Sequence, residues 1–172
     1  ALKEGISPNT RYFSKSPLRL AGPGCPGVDP TFAVETYSKR GGGLKSITQA
    51  TVSSDNSVYA QMTCDLTPRK VFDMARSMGV TSLVSNPRGK NDLVVSIGLG
   101  GLTNGVSVLD MARAYAPLAN GGYRVRVLPM TRLVRPNGKA TKFKVQRTRV
   151  IPPGVAAEVT KILRANVTGG TG

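Results

Sequence analysis

The spacing of apolar and polar positions changes several times along this chain, and each change marks a different kind of element. From residue 6 to residue 45 no period is sustained. Pro, Gly and Ser are dense there, and the β-type runs are short: Leu18-Arg19-Leu20, and Phe32 to Tyr37. The stretches AGPGCPGVDP and KRGGG around them read as turns or loops. Ser46-Ile47-Thr48-Gln49 then fits a capping box, with Ser at the cap and Gln three residues on. It predicts a short helix through Val52. A second helix is expected from about Val58 to Asp65, after the polar cluster Ser53-Ser54-Asp55-Asn56.

Thr67-Pro68 reads as a cap followed by proline at the first helical position. Val71, Met74, Ala75 and Met78 recur at helical spacing behind it, and Gly79 ends the run. Ser107 opens another helix whose apolar positions are Val108, Met111, Ala112, Tyr115 and Ala119. Pro117 lies inside it and removes the bond to Arg113, which predicts a kink or an early end. The period then drops to two, as Tyr123, Val125 and Val127 alternate with Arg124 and Arg126. Asn137-Gly138 between two β-type runs predicts a hairpin. After Pro152-Pro153, a last helix carries Val155, Val159, Ile162, Leu163 and Val167 on one stripe. A loop-rich start, helices, a hairpin and a helix make an α+β fold.

At 172 residues with 40% apolar content, the chain is long enough to enclose a core. No run reaches the roughly 20 apolar residues that cross a bilayer. There is no histidine, so zinc sets built on Cys and His, and any His-based triad, are excluded. No metal or cofactor is expected. Cys25 and Cys64 leave a disulfide open without deciding it. The net charge is +15, and residues 111 to 157 contain no acidic residue. Arg124, Arg126, Arg132, Arg135, Lys139, Lys142, Lys144, Arg147 and Arg149 crowd that stretch. It reads either as a solvated basic face or as a surface attracted to a polyanion or an anionic surface. Stacking aromatics are not interleaved with it, so nucleic acid is not the expected partner.

Ser54-Asp55-Asn56 is where chemistry and turn structure compete. As a turn, Asn56 or Ser57 would cap the second helix, and Asp55 would point away into the turn. As chemistry, a Ser-x-Asn triplet belongs with Ser-x-x-Lys and Lys-Thr-Gly in serine acyl-transferases that take penicillin. The glycines Gly98, Gly100 and Gly101 lack the Gly-Lys-Ser/Thr of a phosphate loop and read as a tight backbone path.

ALKEGISPNT, SITQATVSSDNSVYAQM, TPRKVFDMARSMGV, SIGLGGLTNGVSVLDMARAYAPLANGG and RVIPPGVAAEVTKILRANVTGGTG occur in that order. Together they resemble the transpeptidase domain of class A (bifunctional) penicillin-binding proteins over nearly the whole chain. The resemblance implies a β-lactamase/transpeptidase-like fold, with this chain supplying mostly the helical subdomain and a few strands. Residues 1–172 are expected to be part of one such domain. The parts are a loop-rich lead-in (1–45), a helical part with the triplet (46–121), a β-hairpin region (122–150), and a helix with a Gly-rich end (151–172).

No serine here is followed three residues later by lysine, and Lys-Thr-Gly does not occur. The chain begins on Ala1-Leu2-Lys3-Glu4-Gly5, which reads as the last turn of a helix, and closes on a loop-like Thr168 to Gly172. The resemblance implies that the first motif lies just upstream of the segment resembled by ALKEGISPNT and the third shortly after that resembled by VTGGTG. The chain is therefore expected to run from just after the first motif to just before the third. What the resemblance implies is a peptidoglycan D,D-transpeptidase working through a serine acyl-enzyme, with stem peptides as substrates and β-lactams bound by the longer protein. Ser54 and Asn56 would be its second motif: a hydroxyl that relays a proton, and an amide that holds a substrate carbonyl and orients the missing lysine. The location implied is the extracytoplasmic face of the bacterial cell membrane, with membrane contact only through an anchor outside this chain. Whether a glycosyltransferase domain precedes it is open. The rivals are a class A β-lactamase-like hydrolase and a non-catalytic basic binding module. The first needs a glutamate base, and Glu4, Glu35 and Glu158 all stand outside a Glu-x-x-x-Asn setting.

Overall fold

A computed structural model describes residues 1–20, 25, 28, 32–86 and 91–172. Most of AGPGCPGVDP, a predicted turn region, lies outside the described residues. The architecture is α+β. β1 (Arg11–Ser14) pairs antiparallel with β4 (Gly43–Ser46), setting Tyr12 opposite Lys45 and Ser14 opposite Gly43. Between them in sequence, β2 (Leu18–Arg19) pairs with β3 (Ala33–Val34). The β-type run from Phe32 to Tyr37 thus contributes only two residues to a strand, and Tyr37 is fully exposed.

Helices follow. α1 (Ile47–Val52) begins with the predicted capping box: Gln49 N–H donates to Ser46 Oγ, and Ser46 N–H donates to Gln49 Oε1. α2 (Asn56–Leu66) starts two residues earlier than the pattern suggests and is capped by Asp55, not by Asn56 or Ser57. α3 (Pro68–Met78) has Pro at its first position, but the Thr67 side chain makes no capping bond and its backbone sits at φ 71°. A 3₁₀ turn, Val95–Leu99, leads to α4 (Val108–Ala119) and, after the ribbon, to α5 (Pro153–Gly169). α5 takes in Thr168 and Gly169, where a loop is expected, and its stripe is half-buried or buried except for exposed Val167.

Two apolar clusters hold these parts together. Phe72, Val80, Leu83, Ile97 and Ala114 join α3, the 3₁₀ turn and α4. Val34, Ala60, Val95 and Cys25 join β3, α2 and the same turn, and here Cys25 is disulfide-bonded to Cys64. Gly98 lets the turn approach α2 closely, since a Cβ there would overlap Thr63 Oγ1.

α4 departs most from the pattern. Its predicted stripe is the outward face: Val108, Met111 and Tyr115 are exposed, and Asp110, Ala114 and Pro117 are buried. The cause is polar. The buried Asp110 carboxylate accepts from Thr81 N–H at 2.8 Å, Ser82 N–H at 3.1 Å and the Thr81 hydroxyl, fastening the helix by that side. Three hydrogen bonds to one ionised, buried carboxylate outweigh covering a few apolar side chains. Pro117 does not end the helix at once. The helix closes two residues later, at Ala119, because the bond lost to the proline ring falls in its last turn.

The stretch after α4 forms one long antiparallel ribbon. β5 (Tyr123–Val125) pairs with β8 (Arg147–Arg149), and farther out β6 (Arg132–Val134) pairs with β7 (Ala140–Lys142) across the predicted Asn137-Gly138 turn. Both ends of the ribbon meet at Gly122, whose carbonyl accepts from Val150 N–H at 2.9 Å and Ile151 N–H at 3.3 Å. Among the described residues no helix is long and apolar enough to cross a membrane.

Candidate active site

The connection from α1 to α2 is three residues, Ser53, Ser54 and Asp55, and each backbone N–H in it donates back into α1. Ser53 reaches the Gln49 carbonyl at 3.0 Å, Ser54 the Thr51 carbonyl at 3.2 Å, and Asp55 the Ala50 carbonyl at 2.8 Å. Reversing direction that fast forces Ser54 into the left-handed region, at φ 49°. A side chain with a Cβ holds that conformation only when its surroundings over-determine it. Here they do.

Asp55 does most of the holding. Its side chain is 2% exposed, and it turns into the protein between α2 and the β1–β4 pair. Oδ1 accepts from Ser57 N–H at 3.1 Å, Val58 N–H at 3.4 Å and the Ser57 hydroxyl at 2.7 Å. Oδ2 accepts from the buried Ser14 hydroxyl at 2.6 Å and from the Lys45 ammonium at 2.8 Å. Burial pushes this carboxyl up. Hydrogen bonds from Lys45, Ser14 and Ser57, and the Lys45 charge, outweigh that and hold it at about 2. Lys45 also donates to Ser53 Oγ at 3.2 Å, so one cation clamps both ends of the turn. The expectation that Asp55 points into the turn is corrected: it points past the turn into a buried ionic network, because strand residues offer it donors there.

With Asp55 turned inward, Ser54 and Asn56 on either side of it face outward, and both are exposed. Ser54 Oγ contacts Thr171 Oγ1, beyond the end of α5. That segment is tied down by Thr171 N–H donating to the Val52 carbonyl at 3.2 Å. Asn166 Nδ2 adds bonds to the Thr51 and Val52 carbonyls, both at 3.1 Å. On the other flank, Asn56 Nδ2 donates to the Glu35 carbonyl at 2.9 Å, just after β3. A hydroxyl and an amide are thus presented side by side on a braced turn. The first can pass a proton, and the second can hold a carbonyl. Among the described residues no three Cys, Asp or Glu come together as a metal site.

Sequence reasoning singled out Ser54 and Asn56 but missed Ser14, Lys45 and Thr171 around them. Ser14 and Lys45 sit on strands too short to show a period. Thr171 sits in the Gly-rich end, where nothing local points back to Ser54.

The whole chain, residues 1–172, matches the family model described as the penicillin binding protein transpeptidase domain. The chain belongs to that family. Penicillin-binding protein 4 of Bacillus subtilis (strain 168) is 24% identical over 142 residues, which is 82% of this chain and 22% of that protein. The D,D-transpeptidase domain of a peptidoglycan glycosyltransferase from Eggerthella lenta superposes with a TM-score of 0.76 at 17% identity. The match covers 99% of this chain and 46% of that one. Penicillin-binding protein 1A from Haemophilus influenzae gives 0.78 at 16% identity, covering 99% and 28%. The imipenem acyl-enzyme of penicillin-binding protein A from M. tuberculosis gives 0.77 at 19%, covering 99% and 41%. The transpeptidase fold therefore extends over this chain, which spans less than half the length of each of these relatives. Neither the β-lactamase-like reading nor the basic binding module gains support from them.

Proposed function

We propose that this chain forms one corner of the acyl-transfer site of a class A peptidoglycan D,D-transpeptidase, with Ser54 and Asn56 as its contribution. The observation that carries the reading is the strained turn itself. A serine held at φ 49° by a buried carboxylate, beside an outward amide, is a costly arrangement for a mere helix connection. In the reaction, a serine outside these 172 residues attacks the carbonyl preceding the terminal D-Ala of a stem peptide. The D-Ala amine leaves, and an amine of a second stem peptide then takes the acyl group from the serine. Splitting the exchange in two lowers each barrier. Ser54 Oγ passes the proton between the lysine beside that nucleophile and the leaving or attacking nitrogen. Asn56 holds the substrate's backbone carbonyl and orients the lysine.

Among the described residues no base stands ready for Ser54 itself, since Lys45 is committed to Asp55 and Ser53. On this reading the chain alone is inactive. The Cys25–Cys64 disulfide supports an oxidising, extracytoplasmic location. Intact-mass measurement after incubation with a penicillin tests the assignment. The 172-residue chain should gain no stoichiometric adduct. A longer chain carrying Ser-x-x-Lys and Lys-Thr-Gly should gain one, on the upstream serine. In that longer chain, Ser54→Ala should slow acylation by about a hundredfold, the lower range for losing a proton-transfer group. An adduct on Ser54, or full-speed acylation by Ser54→Ala, would overturn the role given to this residue.

A further inference from the structure

The ribbon from Tyr123 to Arg149 serves nothing in the acyl-transfer reading, and its outer half is unusual in three ways. First, residues 111 to 157 contain neither Asp nor Glu, and among the described residues no ribbon cation forms an ion pair. Second, the register of β6 and β7 sets Arg132 directly opposite Lys142. Cross-strand partners share one face, and like charges in that position destabilise a sheet pair. Third, β6 is exposed along its whole length, and apolar side chains stand open on it. Val134 shares the face of Arg132 and Lys142, with Ala140 opposite it, and is 53% exposed. Leu133 on the other face is 40% exposed, and Met130 and Phe143 flank the strands at 46% and 41%.

A two-stranded ribbon with neither face covered is marginal in water. Keeping two cations opposed on it adds to the cost. Both costs fall if a surface that is anionic and also accepts apolar groups lies against the Arg132–Val134–Lys142 face. A soluble polyanion answers the charge but leaves Val134 in water. A bilayer rich in anionic phospholipid answers both, because headgroup phosphates meet the cations while apolar side chains enter the acyl boundary.

We infer that the outer ribbon docks on an anionic phospholipid bilayer, with Arg132 and Lys142 at headgroup phosphates and Val134 between them. The inference is independent of the acyl-transfer reading. It adds a surface contact to the expectation that only an anchor reaches the membrane.

The test is sedimentation of the 172-residue chain with vesicles of phosphatidylcholine alone, or with 30% phosphatidylglycerol, at low and high salt. Binding should require the anionic lipid and weaken in high salt. The double variant Arg132→Thr/Lys142→Thr should bind about 30-fold more weakly, at about a factor of five per cation near an anionic surface. Because it removes a like-charge pair and puts β-favouring residues there, its Tm should stay level or rise. That split separates lost docking from lost folding. Val134→Ser should weaken vesicle binding several-fold while leaving binding to inorganic polyphosphate unchanged. Equal binding to neutral vesicles, or unaltered binding by the double variant, would overturn the inference. So would a Val134→Ser variant that binds anionic vesicles as well as the parent, which would point to a soluble polyanion instead.

Discussion

Replacing Asp55 with Asn isolates the charge that braces the candidate site. Asparagine still offers an oxygen to the N–H groups of Ser57 and Val58, so the cap on α2 survives. What it cannot do is accept from Ser14 and Lys45 through a negatively charged oxygen. The carboxyl is held at about 2 in the folded chain against an ordinary 3.8. At about 1.4 kcal/mol per unit of pKa, that difference contributes roughly 2–3 kcal/mol at neutral pH. The folded value is depressed, so the contribution is fully present above the unfolded value and is lost as pH falls through the folded one. By pH 3 about half of it remains. Urea unfolding of both proteins at pH 7 and pH 3 measures this directly. Asp55→Asn should be less stable by roughly 2–3 kcal/mol at pH 7 and by about half as much at pH 3. A gap of the same size at both pH values would show that the charge is not what holds the turn. No gap at pH 7 would show that the network contributes nothing net.

Replacing both Cys25 and Cys64 with Ser releases a loop closed by residues 39 apart, which should lower unfolding free energy by about 4 kcal/mol in the chain-entropy account; denaturant titration that gives less than about 1 kcal/mol would contradict it. Asn166→Ala removes the amide that serves the Thr51 and Val52 carbonyls, and should cost about 1–2 kcal/mol while speeding hydrogen exchange at the Thr171 amide; unchanged protection at Thr171 would mean that the Asn166 side chain does not hold that segment.

How much of this was legible in the sequence depends on the range of the forces involved. The capping box at Ser46 and Gln49, the Pro at the start of α3 and the Asn137-Gly138 hairpin are decided within four or five residues, and each is present as read. The face of α4 was misread because Asp110 answers to Thr81 and Ser82, nearly 30 residues away, and no period of apolar residues encodes that. The β1–β4 pair went unseen for a related reason. Each strand is four residues long, and Phe13 and Leu44 point their apolar side chains outward at 60% and 58% exposure. With that pair missed, Ser14 and Lys45 could not be placed beside Asp55, so the turn was legible but its bracing was not.

The contact between Ser54 and Thr171 joins residues 117 apart in sequence. α1, the turn and α2 are consecutive, and their bonds are local. They can form as soon as that part of the chain has left the ribosome. The flank supplied by Thr171 comes much later, beyond the far end of α5. Closing so long a loop carries an entropy cost that local helix formation does not. During synthesis the turn therefore stands with one side open until residue 171 has emerged. A chain stalled within α5 would carry its helices, its disulfide and its buried ionic network, but not the second wall of the site.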